Sequence, residues 1–500
     1  MKRRDFLKSS ALTAVAAAAT YPANAQGTAM DGVPNILFIN VDQMSLLDSV
    51  RAYGCEYTTT PGIDRLVKRG TSFMQSYSTD PVCCPARASW WTGAYSSEHG
   101  VIVNGTPCHA DMPDLSRLLQ KAGYNTYYSG KWHVPGKSVR KLFHVLHEGS
   151  WWGELTDTQV TRSGVAFLEN YDGSKPFFLS LGYLNPHDIC ITPSYDSARS
   201  SVVDGKKVPP YKAAGVLDEA DIPPVQDAQD YDSREPAVLV LSKRGAPEKP
   251  KFSDWSDELW RMHRYNYHRF TEMVDAQVDT LLDALAQSSF RDNTLIIFSS
   301  DHGDGLGRHR TVGKSTFYDE VCRVPFIVST LGDLKVRENI QDTEHPVSGV
   351  DFARTVCDYA GADGSILPHG RSLRPLVEGK EVVWREFVYA ESSAYMHMVT
   401  DGTTKYVREY IENDAFAGIL PCATTHRAGV EQLFDLARDP NEARNLAYDP
   451  GYKAQLERMR VALDRKEQER VPVKAVAPRG QMFMSGRAKA IKRKKIPQQY

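Results

Sequence analysis

Short apolar runs separated by helical patterns recur along the 500-residue chain, and this alternation leaves it few folds to choose from. The runs are NILFINVD (35–42), YNTYYSG (124–130), PFFLSLGYL (176–184), TLIIFSS (294–300) and VPFIVST (324–330). Continuous apolar runs rich in β-branched residues suit strands covered on both faces. Between them, Phe270, Val274, Val278, Leu281, Leu282 and Leu285 recur at helical spacing within 258–287, the mark of a helix with one buried face. Strands alternating with helices predict an α/β fold with a mostly parallel sheet flanked by helices. The texture changes after about residue 380: EFVYAESSAYMHMVTDGTTKYVREY reads as antiparallel strands, and PNEARNLAYDPGYKAQLERMRVALDRKEQE as a closing helix. A smaller C-terminal subdomain over 381–475 is therefore expected after a main domain over 33–380. Residues 190–256, rich in Pro, Asp and Lys, read as a long surface excursion that shapes a substrate pocket.

Composition excludes more than it identifies. A net charge of −2 gives no basis for binding nucleic acid or a membrane surface, and no stretch reaches the ~20 apolar residues a stable membrane span needs. The segment MKRRDFLKSSALTAVAAAATYPANAQ joins Arg3-Arg4, an alanine-rich apolar run and the small-residue site Ala23-Asn24-Ala25. That order reads as a twin-arginine-type signal peptide over 1–25. The expectation is a bacterial protein carried by the twin-arginine (Tat) machinery and released to the periplasm or beyond. The basic tail over 476–500, ending GRAKAIKRKKIPQQY, reads as a solvated segment, with contact to an anionic polymer as the alternative. The cysteines at 55, 83, 84, 108, 190, 322, 357 and 422 show no repeating spacing, so they suggest buried small residues rather than a disulfide framework or a zinc site.

Chemistry gathers where the strands end. In open α/β sheets ligands bind beyond the carboxyl ends of the strands, and there the sequence places Asp42-Gln43, Lys131-Trp132-His133, His187 and Asp301-His302. Singly, each has an ordinary structural explanation, such as a helix cap or a hydrogen-bonded histidine. Convergence at matching ends of four strands argues for a site. Asp42, Asp301 and the Gln43 oxygen are hard ligands for Ca²⁺ or Mg²⁺, while His302 is softer. Such a cation beside Lys131 and Arg87 suits a tetrahedral oxyanion, sulfate or phosphate. Cys83 and Cys84 are too constrained by the intervening peptide to pair readily, so at least one serves chemistry or packing.

Cys83-Cys84-Pro85-Ala86-Arg87 followed by Thr92-Gly93 resembles the C-x-P-x-R…TG signature of the sulfatases. GYNTYYSGKWH is similar to the second motif of that family, SSDHGDGLGRHRTVGKSTFYDEVCRVPFIV to its metal and lysine block, and EQLFDLARDPNEARNLA to its C-terminal segment. The resemblance spans about 33–465. It implies the alkaline-phosphatase-like fold, a large mixed, mostly parallel sheet flanked by helices with a small C-terminal antiparallel sheet. It implies that a maturation enzyme converts Cys83 to formylglycine (3-oxoalanine), whose hydrate supplies the attacking hydroxyl. The implied ligands of one divalent cation, Ca²⁺ with Mg²⁺ as the alternative, are Asp42, Gln43, residue 83, Asp301 and His302. Arg87 would hold the formylglycine hydroxyl, Lys131 would bridge that group and the sulfate, and Lys314 would bind another sulfate oxygen. His133 would serve as general base and His187 as general acid at the leaving oxygen. His309 matches the family's LGxH pattern without an assigned role.

Two features depart from the commoner pattern: Gln43 and His302 stand where many members carry aspartate and asparagine, and Ala86 stands where serine is usual. The first resembles the branches that include iduronate sulfatase, choline sulfatase and phosphonate monoester hydrolases. The expected function is hydrolysis of sulfate esters of a sulfated carbohydrate or polysaccharide fragment. The alternatives are a phosphonate or phosphate monoester hydrolase of the same fold and a non-catalytic anion-binding protein. Choice of sugar is expected in 190–256 and around Met396–Thr400, where His397 is either a substrate contact or a surface histidine.

Overall fold

The computed structural model describes residues 33–149, 152–191, 201–203, 206–208, 222–225, 235, 255–392, 396–410 and 430–470. The expected signal peptide, the basic tail, Cys422 and most of the 190–256 excursion lie outside the described residues.

Eight strands form the main sheet: β1 (Asn35–Asp42), β2 (Gly70–Phe73), β3 (Asn125–Gly130), β4 (His144–Glu148), β5 (Phe177–Pro186), β6 (Thr294–Ser300), β7 (Phe326–Thr330) and β8 (Ile340–Asp342). Their spatial order is β8-β2-β7-β6-β1-β5-β3-β4. Neighbours run parallel except where β7 enters antiparallel between β2 and β6. The sheet is mixed and mostly parallel, as the resemblance implied. The flanking helices are α1 (Pro61–Lys68), α2 (Cys83–Thr92), α3 (Gly153–Asn170), α4 (Asp257–Gln287) and α5 (Asp351–Ala360).

The continuous apolar runs are explained by burial on both faces. Successive side chains of a strand point to opposite faces, and in β1 Ile36 and Phe38 pack with Trp90 and Trp91 of α2 and Phe352 of α5. Leu37, Ile39 and Val41 face the other way, against Ile63 of α1, Val160 of α3 and Val278 of α4. β6 divides likewise, with Leu295 and Ile297 on one side and Ile296 and Phe298 on the other. α4 begins at Ser256, whose side chain accepts a hydrogen bond from the Leu259 N–H at 3.4 Å, a helix cap. The register between β1 and β5 slips between Asn40 and Asp42. An irregularity of this kind re-aims the side chain at the end of a strand, here Asp42.

β9 (Val388–Ser392), β10 (Met396–Thr400), β11 (Thr404–Glu409) and β12 (Glu431–Asp435) form an antiparallel meander, and α6 (Lys453–Gln468) closes over it through Leu456, Met459 and Leu463 against Val399, Tyr406 and Leu433. This sheet is joined to the main body: Glu391 accepts from the Ser97 N–H at 2.7 Å and from Ser97 Oγ at 2.8 Å.

Several expectations are corrected. The short strands β2, β4 and β8, of which β4 and β8 form the sheet edges, carry too few apolar residues to be read from the sequence. The closing helix starts at Lys453, because Asp449 caps a short turn at Pro450–Tyr452 just before it. Met396–Thr400 is a fully buried strand and not a substrate loop. His397 lies in it, 8% exposed, with Nδ1 2.5 Å from Glu467 Oε1 on α6, so it is neither a surface histidine nor part of the strand-end cluster. Among the described residues no helix is long and apolar enough to cross a membrane.

Candidate active site

The site is assembled by tying strand ends together. At the end of β1, Gln43 takes a left-handed conformation, φ 71°, and its N–H donates to Asp301 Oδ1 at 3.1 Å. Asp301 follows β6, and the same oxygen accepts from the His302 N–H at 2.9 Å. At the end of β3, Gly130 has φ 93°, and a Cβ there would lie 2.1 Å from the Gly182 carbonyl oxygen. Only glycine lets β3 approach β5 so closely, and the Lys131 N–H then donates to that carbonyl at 2.8 Å. Cys83 is the first residue of α2, so it stands where a helix presents unpaired N–H groups and positive dipole charge.

Donor atoms of Asp42, Cys83, Asp301 and His302 all lie within 4.8 Å of one another, and all four residues are buried. His302 Nδ1 is 2.8 Å from the Gly303 carbonyl oxygen. A carbonyl only accepts, so Nδ1 carries a proton and Nε2 faces the cluster, 3.1 Å from Cys83 Sγ. Lys131 Nζ is 2.5 Å from Asp42 Oδ2. Lys314 Nζ stands among the donors, 2.9 Å from Cys83 Sγ, 3.1 Å from Gln43 Oε1 and 3.5 Å from His302 Nε2. An ammonium group thus rests where these donors call for positive charge. Two carboxylates, an amide oxygen and an imidazole nitrogen fit a divalent cation of the Ca²⁺ or Mg²⁺ class.

The two adjacent cysteines part company electrostatically. Burial alone would push the Cys83 thiol up, but Lys314, Lys131 and His302 outweigh it, and a hydrogen bond with His133 adds to them, holding the thiol well below its ordinary range. Cys84, packed in the core beside α5, is pushed up to about 12 by burial. Reactive thiols belong to electropositive surroundings and inert ones to apolar surroundings. Burial and the Cys83 thiol oppose ionisation of Asp42, yet Lys131, His187 and Lys314 hold it well below the usual carboxylate range. Burial and the Asp42 carboxylate together push Asp301 up against the pull of Arg87. His187 hydrogen-bonds Cys83, and burial pushes its imidazole down, which makes the protonated form a stronger acid.

The structure therefore brings together Asp42, Gln43, Cys83, Arg87, Lys131, His133, His187, Asp301, His302 and Lys314. Arg87 is tied to the strand ends. Its hydrogen bonds go to Asp301 Oδ2 at 2.7 Å, Asn40 Oδ1 at 2.9 Å, the Lys131 carbonyl at 3.1 Å and Asp42 Oδ2 at 3.4 Å. It orders the two carboxylates. His309 is buried and stacked on Tyr318 with ring centroids 3.6 Å apart. Sequence reasoning missed Asn40, Asp304 and Cys190. Asp304 lies inside the quoted SSDHGDGLG stretch and could have been suspected, whereas Cys190 carries no signal beyond following His187. A cavity of about 270 Å³ opens beside Lys131 and His133, lined also by Trp132, Val139, Glu148 and Leu184.

The family model described as Sulfatase matches residues 34–362, and that of the N-sulphoglucosamine sulphohydrolase C-terminal region matches 307–469. A Δ4,5-hexuronate-2-O-sulfatase of Bacteroides thetaiotaomicron is 28% identical over 86% of this chain and 88% of its own. A choline-sulfatase of Rhizobium meliloti is 29% identical over 84% and 83%. Among solved structures, a 2-O GAG sulfatase superposes with a TM-score of 0.72 at 26% identity, covering 87% of this chain and 92% of that one. The phosphonate monoester hydrolase of Agrobacterium radiobacter shares the fold, with a TM-score of 0.67 at 22% identity and coverage of 87% and 96%.

Proposed function

The chain belongs to the sulfatase family and is a sulfuric ester hydrolase, and from that premise we propose that it removes sulfate from a carbohydrate through a formylglycine formed from Cys83. The observation that carries this reading is the setting of Cys83: a buried residue at the head of α2, with two lysines, two histidines and a set of cation ligands converging on it. Formylglycine at position 83 would supply the nucleophilic hydroxyl, and a divalent cation held by Asp42, Gln43, Asp301 and His302 would supply Lewis acidity.

The chain's own residues account for the rest. Arg87 fixes the Asp42 and Asp301 carboxylates through charge-assisted hydrogen bonds. Lys131 and Lys314 bring two ammonium groups to the place where sulfate oxygens would gather charge as the ester bond breaks. His133, in hydrogen-bond reach of residue 83, accepts its proton. His187, on the far end of β5, returns a proton to the leaving sugar oxygen. Burial of Asp42, Cys83, Asp301 and His302 lowers the local dielectric and strengthens these interactions.

The relatives named for action on hexuronate 2-O-sulfate and on N-acetylglucosamine 6-O-sulfate support a sulfated carbohydrate, in a polysaccharide-degrading role, as the substrate class. Arg3-Arg4 and Ala23-Asn24-Ala25 support export by the twin-arginine route to the periplasm or beyond, after a maturation enzyme has acted on Cys83. The test is turnover of matched aryl sulfate and aryl phosphonate esters by protein co-expressed with a formylglycine-generating enzyme. A clear sulfate preference that disappears on chelation and returns with Ca²⁺ or Mg²⁺ is expected. A phosphonate preference would overturn the substrate assignment in favour of the related hydrolases of this fold.

A further inference from the structure

The amide of Gln43 can face only one way. Nε2 is 2.6 Å from Asp304 Oδ2, and Oε1 is 3.1 Å from Lys314 Nζ. A carboxylate cannot donate and an ammonium cannot accept, so exchanging the amide's two ends would break both contacts. Asp304 is itself held fast. It is fully buried, its Oδ1 accepts from the Leu306 N–H at 2.9 Å, and its Oδ2 accepts from the Gly313 N–H at 3.1 Å. His263 Nε2 lies 3.5 Å from Oδ1. The sulfhydryl of Cys190 closes the remaining side, 3.3 Å from Gln43 Nε2.

We propose that Asp304 is a positioning residue that turns the Gln43 oxygen toward the cation and requires an amide, rather than a carboxylate, at position 43. An acidic residue there would bring two buried carboxylates to the 2.6 Å now spanned by a hydrogen bond. Two carboxylate oxygens facing each other there have no hydrogen to share and repel, so the side chain at 43 would be driven out of the orientation that serves the cation. The departure from the commoner paired aspartates is thus matched by a carboxylate placed behind the ligand. The inference rests on the reading of Asp42, Gln43, Asp301 and His302 as cation ligands.

A double-mutant cycle on the full chain tests it. Ca²⁺ and Mg²⁺ affinities are measured by titration calorimetry on chelator-stripped parent, Gln43→Glu, Asp304→Asn and the double variant, at one pH and ionic strength. Gln43→Glu adds an anionic oxygen at the same size, yet is expected to weaken binding by about tenfold or more, within the range found for partners behind metal ligands. Asp304→Asn is expected to weaken it similarly by releasing the amide. The double variant should return to within about threefold of the parent, since non-additivity of this kind marks direct coupling. A Gln43→Glu protein that binds as tightly as the parent, or a double variant no tighter than Gln43→Glu, would overturn the pairing while leaving the cation site intact. A parent that binds neither ion would overturn the cation reading itself, and the pairing with it. Glutamate and glutamine are isosteric, so Gln43→Glu alone decides the matter if an Asp304 variant fails to fold.

Discussion

Two buried clusters of charge share the segment from Asp301 to Arg323, and they are satisfied in opposite ways. In the first, Lys131, Lys314, His133, His187 and His302 crowd around Cys83 and Asp42, and functional groups lean on one another. In the second, Lys405 of β11 is fully buried and spends its ammonium protons on the Phe317 carbonyl at 2.7 Å, Glu442 Oε1 at 2.8 Å and Asp319. Glu442 in turn accepts from the Asp319 N–H at 2.6 Å, and Arg323 closes the other side of Asp319 at 3.0 Å. The second cluster closes on backbone and side-chain partners and holds the C-terminal sheet to the main body. The first is convergent, and removing a member should cost rate before it costs stability. Buried charge by itself therefore marks neither catalysis nor structure; what its partners are does.

The largest effect is expected at Cys83, the proposed nucleophile. Cys83→Ala should lower turnover of an aryl sulfate by at least about 10⁴-fold, with a melting temperature unchanged or raised, since strained functional groups commonly cost stability. Steady-state rates and calorimetric unfolding check both halves. Lys131→Met and Lys405→Met then set the two clusters against each other. The first should cost about 10²- to 10³-fold in kcat, the range for removing one charge-stabilising donor. The second should cost about 3–5 kcal/mol of unfolding free energy, as expected when a buried ion pair loses one partner, while folded enzyme keeps its kcat. A Lys405→Met protein that stays fully folded but loses rate as Lys131→Met does would break the distinction.

Glu320 sharpens the comparison from inside the structural cluster. It adjoins Asp319, but burial dominates over Arg308, 3.9 Å away, and pushes its carboxyl from 4.5 up to about 8. Asp319 is held low by Lys405 and Arg323 against its own burial. Between those two pH values the folded chain holds a proton at Glu320 that the unfolded chain releases, so stability falls as pH rises through the window. Glu320→Gln should flatten that fall by up to about 1.4 kcal/mol per pH unit, read from urea unfolding at pH 5.5 and 7.5. The Asp319 contribution has the opposite sign, being lost only at acid pH, and should persist in the variant. The smallest effect is expected at His397: substitution by Gln should leave kcat/KM within about twofold and cost about 1 kcal/mol of stability, the worth of one hydrogen bond. A large rise in KM would return His397 to the substrate site.

Much of this molecule was legible in its sequence where local rules suffice. β1 and β6 were read from continuous apolar runs, because burial on both faces leaves no polar alternation to blur them. Asp42, Lys131, His187 and Asp301 were read from their place just past strand ends, and Cys83, Arg87 and Lys314 from the resemblance of their segments to the sulfatase motifs. What escaped was set by long-range contact. Lys405 meets Asp319 across 86 residues, and nothing near either one announces the pair. Asn40 looked like one more strand residue until Arg87 reached it across the helix–sheet interface. His397 looked exposed because its partner, Glu467, belongs to a helix that packs over the sheet only after folding.

The central claim is that Cys83 carries the chemistry as formylglycine, and its most direct test is the mass of the tryptic peptide Gly70–Arg87 from protein that is turning over sulfate ester. The account predicts the loss expected when the Cys83 thiol is exchanged for an aldehyde, with Cys84 still alkylatable in the same peptide. A fully active preparation in which both cysteines remain thiols would contradict it.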